Sequence, residues 1–216
     1  MTLPKSYRAF LQTFGTGTYN GVICVNAPDD VVLKEFAEHE FWELEGAPIT
    51  QEQIGQCIAL ANSIDGDFLA IHADVDGLIL LPRHSDKIEV FKISKGDFRV
   101  TLDAVCIRLY SDYKPTECYF GSYLNVKHKF MRHYPEDGRP DIVRQFKASF
   151  KYDFLIEGEY ACLVFLSRLG GYVRFNYGGF EVGAISMEVV VVYDDDGRDV
   201  FNDVMDFLRR HKCIET

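Results

Sequence analysis

Residues 65–84 read DGDFLAIHADVDGLILLPRH, and this stretch indicates the fold. Asp65-Gly66-Asp67 has the composition of a tight turn, because Asp and Gly are preferred turn residues. The apolar runs 68–71 and 78–81 are predicted to be strands. Residues 74–77 are predicted to be a hairpin loop, since Asp-Gly readily supplies the turn conformation between two β-rich runs. The stretch therefore predicts a pair of antiparallel strands.

Helices are predicted before this hairpin. The first covers residues 4–13, where apolar residues recur at helical spacing, and Gly15-Thr16-Gly17 ends it. The second is capped by Asp29 or Asp30 and continues to about residue 41. The third begins at Thr50 and turns four apolar side chains inward, those of Ile54, Cys57, Ile58 and Ala61. After the hairpin we expect a strand at 88–93, and residues 98–109 fit either a helix or a strand.

The second half of the chain contains its own helices and strands. Asp141 can cap a helix that runs to about residue 150, and an amphipathic helix is predicted at 199–211. Three β-like runs lie between them, at 160–166, 172–177 and 185–193. The glycines at 170, 171, 178, 179 and 183 are predicted to mark turns.

These elements predict an α+β protein. We expect an antiparallel sheet with helices on one side in residues 1–113, followed by a smaller α+β unit in residues 115–216. The second unit is either a C-terminal domain or an extension of the same sheet. Charge indicates a boundary near residue 114: residues 1–113 carry nine basic and seventeen acidic side chains, whereas residues 114–216 carry fourteen and sixteen.

Charge and composition also exclude some classes of function. The formal net charge is −10, which disfavours direct nucleic-acid binding because phosphates require a clustered basic surface. It suits a cationic protein partner, although acidic surfaces also serve solubility alone. No run of about 18 apolar residues occurs, so no membrane helix is predicted. The first residues lack the apolar core of a signal peptide, and six scattered cysteines form no CxxC pair. We therefore expect a cytoplasmic protein with reduced cysteines.

Several motifs in a fixed order resemble one known family. Residues 3–14 read L-P-x-x-Y-x-x-F-L-x-x-F and are followed by Gly15-x-Gly17. About fifty residues later the chain contains DGDFLAIH at 65–72, then Asp76-Gly77, then LILLPRH at 78–84. This series resembles the SUKH superfamily, the Smi/Knr-like proteins, over about residues 3–110. Residues 115–216 match nothing in that family. The resemblance implies a helix-flanked antiparallel sheet and a non-enzymatic binding domain.

The resemblance also implies a class of partner. Bacterial members are similar to immunity proteins, which neutralise a toxin domain by direct binding, often a nuclease or a deaminase. Eukaryotic members resemble adaptors or regulatory proteins. The fold itself does not name the partner.

No catalytic, cofactor or metal site is predicted. Asp74-x-Asp76-Gly77 and Asp194-Asp195-Asp196-Gly197 resemble parts of a calcium loop, but Leu78 and Arg198 stand where the third ligand belongs. His128 and His133, considered with Cys118, have a spacing that does not place both imidazoles on one helical face. The chain contains no G-x-S-x-G elbow and no phosphate-binding glycine motif.

The acidic segment 35–45 is the candidate binding surface. Its predicted partner-binding residues are the single tryptophan, Trp42, and the acidic side chains around it, those of Glu35, Glu38, Glu40 and Glu43. Asp194, Asp195 and Asp196, in the second half of the chain, are also predicted to bind the partner. An aromatic anchor among charges is typical of a binding hot spot. The alternative is that Trp42 lies in the core, that the glutamates are an ordinary solvated face and that 194–196 is a turn.

We therefore expect an immunity protein that binds a basic toxin domain. An intracellular adaptor or regulatory protein is the second hypothesis, and an enzyme with an unrecognised site is the third.

Overall fold

The computed structural model describes residues 2–39, 41–83, 87–115, 120–122, 128–134, 141–158, 161–181, 184–193 and 198–216. The chain divides into two units. The first contains the residues up to Ser111 together with strand 120–122, and the second contains residues 112–115 and the described residues from His128 onward.

The first unit is built on an antiparallel sheet. Its elements are α1 (Lys5–Phe14), β1 (Gly17–Tyr19), β2 (Ile23–Asp29), α2 (Val32–Ala37), α3 (Gln51–Ile54), β3 (Ile58–Ser63), β4 (Phe68–His72), β5 (Val75–Leu81), β6 (Glu89–Phe91), α4 (Phe98–Leu109) and β7 (Phe120–Ser122). In the described part of the chain the sheet has seven strands in the order β6-β5-β4-β3-β2-β1-β7.

Helices cover both faces of this sheet. Leu78, Ile79, Leu80 and Leu81 of β5 are each at most 1% exposed, and successive strand residues point to opposite faces. Helices α2 and α3 contribute Leu33 and Ile54 to the cluster that contains Ile79 and Leu81. The α+β class is confirmed, but the expectation of helices on one side is wrong. The continuous apolar run of β5 is itself typical of a strand buried on two sides.

Helices α1 and α4 pack together outside that cluster. The rings of Tyr7 and Phe98 lie 5.3 Å apart in an edge-to-face arrangement. The Tyr7 hydroxyl donates a hydrogen bond of 2.5 Å to the Asn26 carbonyl in β2. Helix α1 ends at Gly15, whose φ of 75° lies in the region that favours glycine. The prediction for residues 4–13 is therefore confirmed, and residues 98–109 are the helix α4.

The third predicted helix is much shorter than expected. Thr50 begins it with a capping box shared with Gln53, but the helix ends at Ile54. Ile58 and Ala61 lie in β3, which pairs with β2 on one side and β4 on the other. The apolar spacing fits a helix, and strand pairing on two sides overrides it. Helix α2 likewise ends at Ala37, before the predicted residue 41.

The central hairpin turns earlier than the sequence indicated. His72 pairs with Val75, so the two turn residues are Ala73 and Asp74. Gly77 lies inside β5 with a φ of 156°, where a Cβ would collide with Val90 Cγ1 and lie 2.8 Å from the Phe91 carbonyl oxygen. The glycine is therefore required for the close approach of β6 and not for the turn.

A buried carboxylate connects three strands of the sheet. Asp67, which is 5% exposed, accepts a hydrogen bond of 2.5 Å from the Ser63 hydroxyl and one of 2.8 Å from the Arg83 backbone N–H. The Asp67 N–H in turn donates to Ser63 Oγ at 3.0 Å. These contacts join the end of β3, the start of β4 and the residues that follow β5. Gly66 completes the predicted turn with a φ of 94°.

The second unit has its own sheet and core. Its elements are β8 (His128–Tyr134), α5 (Asp141–Ser149), β9 (Phe154–Glu157), β10 (Ala161–Leu166), a 3-10 turn (Ser167–Leu169), β11 (Gly171–Glu181), β12 (Ala184–Val192), α6 (Arg198–Arg210) and β13 (Ile214–Glu215). The antiparallel order is β13-β8-β12-β11-β10-β9 among the described strands. The rings of Phe146 from α5 and Phe207 from α6 meet at 5.2 Å within the core.

The predicted elements of the second unit are largely confirmed. The runs 160–166, 172–177 and 185–193 correspond to β10, β11 and β12, and both predicted helices are present. Gly170 follows the 3-10 turn with a φ of 65°, as predicted. Gly171, Gly178 and Gly179 lie within β11 and do not form turns, and Gly183 lies outside the described residues. Strands β8, β9 and β13 were not predicted.

We expect replacement of Asp67 by Ala to lower the free energy of unfolding of the first unit by about 3 kcal/mol. Two hydrogen bonds to a charged acceptor are lost, and the Arg83 N–H is left without its partner. Urea unfolding followed by the fluorescence of Trp42, which lies in this unit and is the single tryptophan, measures the change.

The matched control is Asp76→Ala, which removes an exposed carboxylate from the same hairpin and is expected to change stability by less than about 0.5 kcal/mol. Equal urea midpoints for the two variants would contradict the role given to Asp67.

Candidate functional site

The predicted glutamates lie on and after helix α2. Asp29 Oδ1 accepts the backbone N–H groups of Val31 and Val32 at 2.8 and 3.0 Å, and these bonds hold the Asp29 pKa below its usual value. This carboxylate caps the start of the helix. Glu35 and Glu38 are exposed at and beyond its last turn, and Glu43 is exposed in the following loop. Glu40 and residues 194–196 lie outside the described residues.

Trp42 lies in the core. Its side chain packs in the cluster that contains Leu33 and Ile79, and the residue is only 8% exposed. The indole Nε1–H donates a hydrogen bond of 2.7 Å to the carbonyl oxygen of Pro82. Both the ring and its polar atom are therefore used inside the first unit, and the indole is not available as a surface anchor.

The exposed aromatic side chain of this segment is Phe41. It is 53% exposed, and its ring lies 5.7 Å from Phe36, 5.4 Å from His39 and 5.9 Å from Trp42. Phe41 was not among the predicted partner-binding residues. The available signal was the position of Phe41 within the acidic run, next to Trp42.

The structure brings further acidic residues close to the predicted glutamates of α2. Gln51 Nε2 donates to the carbonyl oxygens of Ala37 and His39 at 2.6 and 2.9 Å, which brings the start of α3 beside the end of α2. Gln53 Nε2 donates to Asp74 Oδ2 at 3.3 Å, which brings the β4–β5 turn beside α3.

We use the name acidic surface for the exposed carboxylates on α2, in the loop that follows it, on α3 and in the β4–β5 turn, those of Glu35, Glu38, Glu43, Glu52 and Asp74. Sequence reasoning missed Glu52 and Asp74 because they are distant from the glutamate run along the chain.

The charge of this region is predominantly negative. Residues 35–82 contain ten Asp and Glu side chains and no Lys or Arg, and the exposed Lys34 of α2 and Arg83 after β5 stand directly on either side of this range. Most of these carboxylates are exposed, whereas Asp67 is buried. Such a surface produces a negative potential that extends about a Debye length, roughly 8 Å at physiological salt.

Burial favours the neutral form of three thiols and two phenols. Burial raises the pKa of Cys57 to about 12 and the pKa values of Cys162 and Cys213 to about 11. Burial raises the pKa of Tyr7 to about 12. Burial also raises the pKa of Tyr110, and the negative charge of the nearby Asp65 raises it further. Because the thiolate is the reactive form of cysteine, these three thiols are poor nucleophiles at neutral pH.

The described residues do not form a metal centre. Within the described ranges, no three His, Cys, Asp or Glu side chains are grouped closely enough to hold a metal ion. His128 Nδ1 lies 2.7 Å from Glu215 Oε1, whereas Cys118 and the side chain of His133 are not among the described groups. None of the described helices combines the length and apolar composition of a membrane span.

Comparisons with models of known families, with curated proteins and with solved structures found no match. The resemblance to the SUKH superfamily therefore stays a prediction that rests on the residues quoted for it.

We expect Cys57, Cys162 and Cys213 to react with iodoacetamide at least about a hundredfold more slowly in the folded protein than in urea. Their raised pKa values remove nearly all thiolate near pH 8, and burial restricts access. Mass spectrometry of the labelled peptides measures each rate separately. The partly exposed Cys24 serves as the internal comparison, and native labelling of Cys57 as fast as that of Cys24 would contradict the burial described here.

Proposed function

We propose that this chain is a non-enzymatic protein-binding module that acts as a bacterial immunity protein, neutralising a toxin domain by direct binding in the cytoplasm. The observation that carries the proposal is the acidic surface with Phe41 exposed beside it. The resemblance of residues 3–110 to the SUKH superfamily supports the same function.

The charge of the surface favours a particular kind of toxin. A nuclease, or a deaminase acting on nucleic acid, binds a polyanionic substrate and needs a basic surface to do so. Carboxylates arrayed around Glu38 and Glu43 present negative charge to such a surface, much as phosphates do. An inhibitor of this kind blocks the substrate path by occupying it.

Electrostatic attraction also increases the rate at which the complex forms. Complementary potentials raise association rates far above those of neutral partners, and the gain falls as salt increases. Fast capture suits a protein that must bind a toxin before the toxin reaches its substrate. The exposed glutamates are the groups that supply this steering, while the buried Asp67 has a structural role.

Reversal of two charges tests the proposal. We compare Glu38→Lys/Glu43→Lys with Asp112→Lys/Asp203→Lys, which changes the charge equally through exposed residues of the second unit. Each protein is used as bait in native lysate over a salt series, and captured proteins are identified by mass spectrometry. We expect the wild type and the second variant to retain one basic, stoichiometric partner that is lost as salt rises.

The association rate of each variant is then measured with the purified partner. The first variant is expected to associate at least roughly tenfold more slowly at low salt and to have a weaker salt dependence. It is also expected to protect cells poorly when the partner is expressed in them. Several weak partners would support an adaptor instead. The absence of any partner, or equal rates for both variants, would overturn the proposal.

A further inference from the structure

We infer that Phe41 is the apolar anchor of the acidic surface, and that the partner receives its ring in an apolar pocket rimmed by Lys and Arg. This inference rests on the proposed function and adds to it the chemistry of the partner. Three observations carry it: the exposure of the ring, the way in which the loop is held, and the charge around it.

Exposure distinguishes Phe41 from the other aromatic side chains near it. Phe36 is partly buried against the core cluster and Trp42 is buried, whereas Phe41 is 53% exposed. The exposed ring contacts these neighbours, with Phe36 and Trp42 centroids at 5.7 and 5.9 Å. It is therefore an exposed apolar ring that a partner can enclose.

The loop that carries Phe41 is held at both ends. Gln51 Nε2 binds the carbonyl oxygens of Ala37 and His39 before it, and the Trp42 indole binds the Pro82 carbonyl after it. The Phe41 N–H donates to the His39 carbonyl at 3.1 Å. Because these bonds form on folding, the described residues that make them lose little further conformational entropy on binding.

The negative charge around Phe41 favours one class of binding partner. A second copy of this chain would bring like charges together, since residues 35–82 contain ten acidic and no basic residues. An anionic lipid surface would be repelled for the same reason. A cationic protein complements the glutamates, and an Arg in its rim can also lie over the Phe41 ring. Apolar contact at the centre with charge at the rim is the usual arrangement of a hot spot.

The two parts of the surface act on different rate constants. Exposed charges act over a distance and set the association rate, whereas a ring enclosed in a pocket acts after contact and sets the dissociation rate. Loss of Phe41 is therefore expected to accelerate dissociation and leave association nearly unchanged. Loss of Glu38 and Glu43 is expected to slow association.

The experiment uses two fluorescein-labelled peptides of equal length. One is a lysine–leucine peptide whose leucines fall on one face of a helix, and the other is oligolysine. Binding is measured by anisotropy, and stopped flow gives both rate constants. The variants are Phe41→Ala, Phe41→Leu and Glu38→Gln/Glu43→Gln. The matched control is Ile107→Ala, because Ile107 is also 53% exposed and lies on α4 of the same unit.

We expect Phe41→Ala to bind the lysine–leucine peptide roughly tenfold more weakly through faster dissociation. Phe41→Leu restores part of the loss, and Ile107→Ala binds as the wild type does. Oligolysine binding is unchanged by Phe41→Ala and weakened by the glutamine variant. Unfolding midpoints in urea establish that each variant is folded.

Equal binding of the lysine–leucine peptide by Phe41→Ala and Ile107→Ala would overturn the inference, even where the acidic surface still binds oligolysine. That outcome leaves the proposed immunity function standing, because protection of cells by the wild type is measured separately. Conversely, dependence on Phe41 without any protection from a toxin would support the anchor and overturn the immunity function.

Discussion

The carboxylate of Asp67 is the contact on which the rest of the first unit depends. It accepts hydrogen bonds from Ser63 and from the Arg83 backbone, and so fixes the chain where β5 ends. The preceding residue, Pro82, offers its carbonyl oxygen to the Trp42 indole. Trp42 thereby holds the loop that exposes Phe41. One buried acid, whose desolvation is offset by these hydrogen bonds, thus connects the centre of the sheet with the candidate binding surface.

The concentration of charge in residues 35–82 is unfavourable for stability on its own. Ten acidic side chains without Lys or Arg repel one another. Protein surfaces usually mix acidic and basic side chains, and residues 35–82 depart from that mixture. Such departures are expected where function, and not folding, selects the side chains.

Local sequence patterns predicted elements well where one residue type dictates the backbone. Gly15 ends α1, Asp67 with Gly66 forms its turn, and Thr50 begins α3 with a capping box. Prediction failed where two structures satisfy the same pattern. Residues 58–63 have an apolar spacing that suits a helix, yet they pair with two neighbouring strands. Gly77 looks like a turn residue, yet β6 approaches it so closely that a side chain has no room. Contacts between distant residues decide such cases.

For the candidate site, the amino-acid sequence by itself determined the negative charge, the segment that carries most of it and the presence of aromatics within it. Only the tertiary structure decided which aromatic is exposed. Trp42 can enter the core because its indole N–H finds a carbonyl partner forty residues later along the chain, whereas the neighbouring Phe41 stays 53% exposed. The tertiary structure also added Glu52 and Asp74 to the surface through Gln51 and Gln53. Charge is a property of composition, whereas exposure and proximity follow from long-range contacts that no local pattern encodes.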